Sequence, residues 1–163
     1  MPLDTISRCW LLFDMTEGSS VIEGVGDLAA RIYRESFKDT VYSVVQFREP
    51  KVTFYRFQRR GRSYDDDDTP VEPLRSLRPR TALFTNVTDF VTEWGSHFDV
   101  FDEVHIAGVN TDNRLLGSTL ALFEGGVPVI LESSLCLSSD GEPLSPTALM
   151  VLASQLGEGR VRT

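Results

Sequence analysis

The groups that could do chemistry in this 163-residue chain are few, and most stand where an apolar run ends. Asp14 closes the run Cys9-Trp10-Leu11-Leu12-Phe13, and Val109, Asn110 and Arg114 follow the run Val104-His105-Ile106-Ala107-Gly108. A carboxyl group at such a position can act as a general acid or base. An arginine there can bind an anion through paired hydrogen bonds, but it stays protonated and cannot attack as a nucleophile. Cys9 and Cys136 are the two thiols, each inside or beside an apolar run. They read as reduced, buried core residues, not as a disulfide or a nucleophile. His97 and His105 are far apart in sequence; His105 lies within a strand-like run and reads as a satisfied structural histidine, so no metal site is expected. The aspartates Asp65 to Asp68 are a weak calcium signal and read as a solvated charge run.

The elements that must position these groups alternate between two hydrophobic periods. Cys9–Phe13, Val41–Phe47, Val104–Gly108 and Val127–Leu131 are short apolar runs that suit strands, with Val52–Phe57 a less regular extension of the second, Thr81–Phe84 a short strand or a turn, and Val161 the start of an edge strand. Between them lie helical patterns. Ser20 and Glu23 have capping-box spacing ahead of Val21, Val25, Leu28, Ala29, Ile32 and Tyr33, although Gly24 and Gly26 weaken that start. Val87, Phe90, Val91, Trp94 and Phe98 form a second stripe, and Leu115, Leu116, Thr119, Leu120 and Phe123 a third, stopped by Gly125 and Gly126. Ser145 and Pro146 open a last helix with Leu149, Leu152 and Leu156 inward and Gly157 at its end. This order predicts one α/β domain over residues 1–163: a doubly wound, mainly parallel sheet of about five or six strands, helices on both faces, and a site at the carboxyl ends of the strands. Residues 58–80 break the pattern and read as a mobile, polar, acidic loop.

Composition bounds the partners. The net charge is −8, which argues against nucleic-acid or anionic-membrane binding, although Arg59, Arg60 and Arg62 cluster, as do Arg75, Arg78 and Arg80. No apolar run approaches a membrane span, residues 1–8 lack a signal-peptide pattern, and reduced thiols fit a cytoplasmic protein.

Phe101 to Leu131 resembles the signature of the isochorismatase-like hydrolases: a hydrophobic strand, Gly-Val-x-Thr-Asp-x-Cys, a helix carrying a threonine, a small-residue helix end and another strand. Gly108, Val109, Thr111, Asp112, Thr119 and Gly126 match in order and spacing. Leu11-Leu12-Phe13-Asp14-Met15 is similar to the family's opening hydrophobic-Asp-Met, and Glu132 to Cys136 stands where the family often has Asp-Ala-Cys. The resemblance implies an Asp–Lys–Cys triad, with Asp14 as the base and an oxyanion hole from backbone amides at Val109 and Asn110, beside a cis peptide.

The chain departs from that pattern at three places. Arg114 occupies the cysteine position. Only Arg75, Arg78 and Arg80 stand upstream of Thr81-Ala82-Leu83-Phe84, where the lysine is expected. Arg48-Glu49-Pro50-Lys51 replaces the histidine motif that holds metal in the nicotinamidases. The reading is therefore a divergent member without cysteine-hydrolase activity. It would need no cofactor or metal, and its old active-site pocket would either hold an Asp14–Arg114 ion pair or bind a small anion through Arg114, Asn110, Val109, Arg80 and Arg78. Further copies of the same chain are the expected assembly partners. Two alternatives stay open. One is a cysteine-independent hydrolase of the isochorismatase type with Asp14 as catalytic acid, which Arg114 would oppose by lowering its pKa. The other is an assembly protein acting through the acidic loop.

Overall fold

A computed structural model describes residues 6–19, 21–35, 40–47, 69–157 and 159–163, apart from the side chains of Asp112 and Asn113. The expectations placed on Ser20, Val52–Phe57, Arg59–Arg62 and Asp65–Asp68 lie outside these residues.

Six strands form one sheet in the order β3-β2-β1-β4-β5-β6, every neighbouring pair parallel. They are β1 (Arg8–Phe13), β2 (Val41–Phe47), β3 (Arg80–Phe84), β4 (Glu103–Val109), β5 (Val129–Leu137) and β6 (Val161–Arg162). The helices are α1 (Val25–Glu35), α2 (Val87–Trp94), α3 (Leu116–Glu124) and α4 (Pro146–Leu156). Strand residues alternate between two hydrophobic clusters, as the pleat requires. Leu11, Phe13, Val45, Phe47, Val104, Ile106, Val129 and Leu131 face one cluster with Phe90, Phe98, Leu122, Leu152 and Leu156, which places α2, α3 and α4 on that side. Trp10, Leu12, Val44, Ala107, Val109 and Leu135 face the other, with Leu28, Ala29 and Ile32 of α1. The doubly wound arrangement is the one the alternating runs predict.

Several boundaries differ from the sequence reading. The chain makes a 3-10 turn at Glu17–Ser19, and Gly24 takes a φ of +90° before α1 begins at Val25. Val21 therefore precedes the helix and is 90% exposed, and Tyr33 is also exposed, so neither belongs to the buried stripe. Strand β5 runs on to Leu137 instead of ending at Leu131, with its pairing to β4 shifted between Ile106 and Gly108. Cys136 is thus a strand residue, opposite Gly108. Residues 69–80, read as part of a polar loop, pack on the fold where described. Thr16 and Pro70 form an isolated bridge, Leu74–Leu77 is a 3-10 turn, and Val71 and Leu74 are buried in the α1-side cluster.

The Ser145 cap is as expected, while the Asn86 cap was not anticipated from the sequence. Asn86 accepts from the Asp89 amide at 2.8 Å to start α2, and Ser145 accepts from the Ala148 amide at 3.1 Å to start α4. Residues Thr111–Leu115 form a wider π turn before α3. Leu122 is fully buried, and Leu116, Leu120 and Phe123 pack only partly against the core.

Candidate functional site

The site is built where β1 and β4 end side by side. Gly108 takes a φ of +135°, and a Cβ there would lie 2.3 Å from the carbonyl oxygen of Phe13, so only glycine lets the two strands approach this closely. Two residues just past these strand ends are left-handed although neither is glycine: Asp14 at φ 54° and Asn110 at φ 64°. Such conformations cost energy and concentrate at functional sites. Their surroundings hold them. The Asp14 amide donates to the carbonyl of Val45 at 2.8 Å. Asp14 Oδ1 accepts from the Phe47 amide at 2.9 Å, and its Oδ2 accepts from the Asn110 side-chain amide at 2.5 Å.

Asp14 is buried, and its carboxyl is pushed above the ordinary carboxylate range. Burial is the largest cause; the Asn110 and Phe47 hydrogen bonds and the charge of Arg114 all pull the other way. The expectation that Arg114 would lower the Asp14 pKa is therefore right about its local effect and wrong about the outcome. Arg114 itself lies with its guanidinium carbon 5.6 Å from the centroid of the Phe47 ring, a cation–π arrangement. Phe47 thus links the pair: its amide holds Asp14 and its ring supports Arg114. The sequence reading missed Phe47, although its position at the carboxyl end of β2 was the signal that could have found it.

The structure brings Asp14, Asn110 and Arg114 to one place but separates the other candidates. Val109 is fully buried in the α1-side cluster, so only its backbone could serve a ligand. The peptide bond at Val109–Asn110 is trans; among the described residues the cis bond is Glu72–Pro73. Arg80 opens β3 opposite Ser43, level with Leu11 and three residues short of the level of Asp14, and its charge acts on Cys9. Arg78 lies just before it, and both are exposed. They do not join the site because β3 runs parallel to β1 and β2, so the residues at its start lie short of the carboxyl ends where Asp14 stands. Arg75 comes closer, donating to the Pro70 carbonyl and pairing with Glu17, three residues after Asp14.

Neither cysteine stands at this site as a nucleophile. Cys9 and Cys136 are buried free thiols, and burial pushes both up to about 12. His105 is fully buried, with Nδ1 2.8 Å from Glu132 and Nε2 2.7 Å from Glu103, and it stacks on Trp10. That is a structural histidine, as its strand position suggested. His97 is exposed beside Trp94 at the end of α2. Two buried polar atoms close to the site along the chain, Thr16 Oγ1 and Gln46 Oε1, have no hydrogen-bond partner among the described residues.

No family model matches the chain, and no curated protein matches it in sequence. A solved structure does: the chain is similar in fold to the MAR1 ribonuclease from Caenorhabditis elegans. The TM-score is 0.56 at 15% sequence identity, covering 99% of this chain and 78% of that one. At that identity the likeness is one of fold, and the fold is α/β and isochorismatase-like.

Proposed function

We propose that this chain is a divergent isochorismatase-family protein that has exchanged thiol chemistry for anion binding, with Arg114 as the cation at the carboxyl ends of β1 and β4. The observation that carries this reading is the seat of Arg114 over Phe47, whose amide also holds the buried Asp14. A planar guanidinium supported on a ring is well placed for bidentate recognition of a carboxylate or phosphate. RNA is not the ligand assigned here, since a net charge of −8 disfavours phosphate backbones. Calorimetric titration with benzoate and with inorganic phosphate tests the reading. Arg114→Ala is expected to weaken binding at least about tenfold, and Arg114→Lys to restore only part of it. Equal binding by the wild-type and Arg114→Ala proteins would overturn it.

A second reading rests on the raised Asp14 carboxyl. A carboxylic acid that keeps its proton nearer neutrality can protonate a substrate oxygen without help from cysteine. It fits hydrolysis of a small dianionic vinyl ether, the substrate class of the isochorismatases. This reading requires turnover that falls as Asp14 deprotonates and that Asp14→Asn abolishes with binding retained.

A further inference from the structure

Asp14 and Arg114 are linked through one residue of β2. Asp14 Oδ1 accepts from the Phe47 amide at 2.9 Å, and the Arg114 guanidinium carbon lies 5.6 Å from the centroid of the Phe47 ring. Asp14 Oδ2 accepts from the Asn110 side-chain amide at 2.5 Å, and Asn110 opens the turn that carries Arg114. Both carboxyl oxygens are thus held by nitrogen donors of other residues, and the Arg114 charge reaches Asp14 through space. Little water screens that interaction, because Asp14 is 5% exposed. Among the described residues Arg114 is the charged group that acts on Asp14. On β1 and β2 its neighbours are Phe13, Val45 and Phe47, which carry no charge. Glu17, three residues on, is paired with Arg75 at 3.1 Å, and Arg75 also meets Glu72 at 3.3 Å.

We infer that an anion seated on Arg114 is bound together with a proton held by Asp14, so that the affinity of the site falls as pH rises. The inference rests on the reading of Arg114 as the anion-binding cation. Its sign follows from the charges. An ionised Asp14 repels the anion and already draws on the field of Arg114, whereas a protonated Asp14 does neither. The anion therefore binds more tightly to the protonated form. By reciprocity, a bound anion raises the affinity of Asp14 for its proton. The acid form is within reach without rearrangement. Each carboxyl oxygen accepts one hydrogen bond and keeps a second lone pair, so a proton can sit there with both bonds intact. Burial already pushes the carboxyl above its ordinary value of 3.8, and an anion pushes it further the same way. The free site thus releases its proton at a lower pH than the occupied site does. Between those two points the dissociation constant rises by up to about tenfold per pH unit, since one proton is exchanged, and above the second it levels off.

Calorimetric titration with benzenesulfonate, which stays ionised throughout, tests this between about pH 4.5 and 8. For the wild-type protein Kd is expected to rise roughly tenfold across that range, within the usual span of coupling between two sites. Titrations in two buffers of different ionisation enthalpy are expected to show a proton, or a fraction of one, taken up with each anion. Asp14→Asn is expected to bind without proton uptake, with a Kd that is flat in pH and lower than the wild-type value at about pH 8. The carboxyl carbon-13 resonance of Asp14 in wild-type protein reads the same linkage without any variant. Its titration is expected to move to higher pH when benzenesulfonate is added. Wild-type protein that binds with a constant Kd and no proton uptake, or an Asp14 titration unmoved by binding, would overturn the inference and leave anion binding at Arg114 intact. Proton uptake that survives in Asp14→Asn would assign the proton to another group and overturn it as well. Absence of binding at every pH, in wild type and Arg114→Ala alike, would overturn the reading of Arg114 itself.

Discussion

Asp14 carries two opposed demands, and the conflict makes it testable. Burial raises its pKa, while two hydrogen bonds and Arg114 favour its charged form without overcoming that burial. The folded state therefore retains a proton, over an interval above the ordinary value of 3.8, that the unfolded state has already released. Stability contributed by that proton falls as pH rises through the interval and is gone above the folded pKa. Asp14→Asn removes this term, so urea denaturation at several pH values should show the variant gaining on wild type as pH rises from about 4 toward neutrality. A difference independent of pH would mean that Asp14 is not the titrating group. Gly108 offers a sharper case. Its alanine variant would set a Cβ 2.3 Å from the Phe13 carbonyl oxygen, backbone that cannot step aside. A loss of at least about 3 kcal/mol is expected, larger than for ordinary glycine-to-alanine changes in strands. A loss below about 1 kcal/mol would show that β1 and β4 can separate locally.

At the scale of elements, α2 presents one aromatic group to the sheet. Phe90 is fully buried and meets Phe13, Phe47 and Phe84 edge-on, while Trp94, partly buried, lies among Phe84, Phe98 and His97. Phe90→Ala should cost about 3–5 kcal/mol and Trp94→Ala about 2–3, measured by chemical denaturation. The reverse order would mean that the helix turns its other face inward. This stripe was legible because the α-helix keeps the 3.6-residue period from Val87 to Trp94, and the 3-10 turn Gly95–Phe98 that follows leaves Phe98 buried in the same cluster. The period misled at α1, where the backbone left the regular geometry. Val21 fits the stripe of α1 on paper but precedes Gly24, whose positive φ starts the helix late. Leu122 was missed although it follows the buried Leu115 and Thr119 at regular helical spacing, because apolar residues stand on every side of α3 and Leu116, Leu120 and Phe123 offered a second stripe. The site was half legible for a related reason. Asp14, Asn110 and Arg114 follow strand ends, which a parallel sheet brings together, but Arg78 and Arg80 were grouped by sequence closeness to Phe84. Arg78 precedes β3 and Arg80 opens it, so in a parallel sheet both lie short of the carboxyl edge where Asp14 stands.

At the scale of the molecule, the two thiols report on the whole fold because neither reports on a site. Cys9 sits near the start of β1 and Cys136 near the end of β5, both within the same hydrophobic cluster, and each thiol is held up to about 12. Thiolate is the reactive form, so labelling in the native state is suppressed twice, by exclusion from solvent and by protonation. Alkylation with iodoacetamide should therefore proceed through opening of the sheet, and both cysteines should react at one common rate that rises with denaturant as steeply as global unfolding does. Asp14, on the other hand, should keep its effect on stability in fully alkylation-protected native protein, because its chemistry is independent of the thiols. If Cys136 instead reacted rapidly in native protein while Cys9 stayed silent, the end of β5 beside Gly108 would be open to solvent. A thiol would then stand at the carboxyl edge of the sheet after all. Any amide hydrolysis that this labelling removed would reassign the nucleophile from the lost position at Arg114 to Cys136, and with it the function from anion binding to cysteine catalysis.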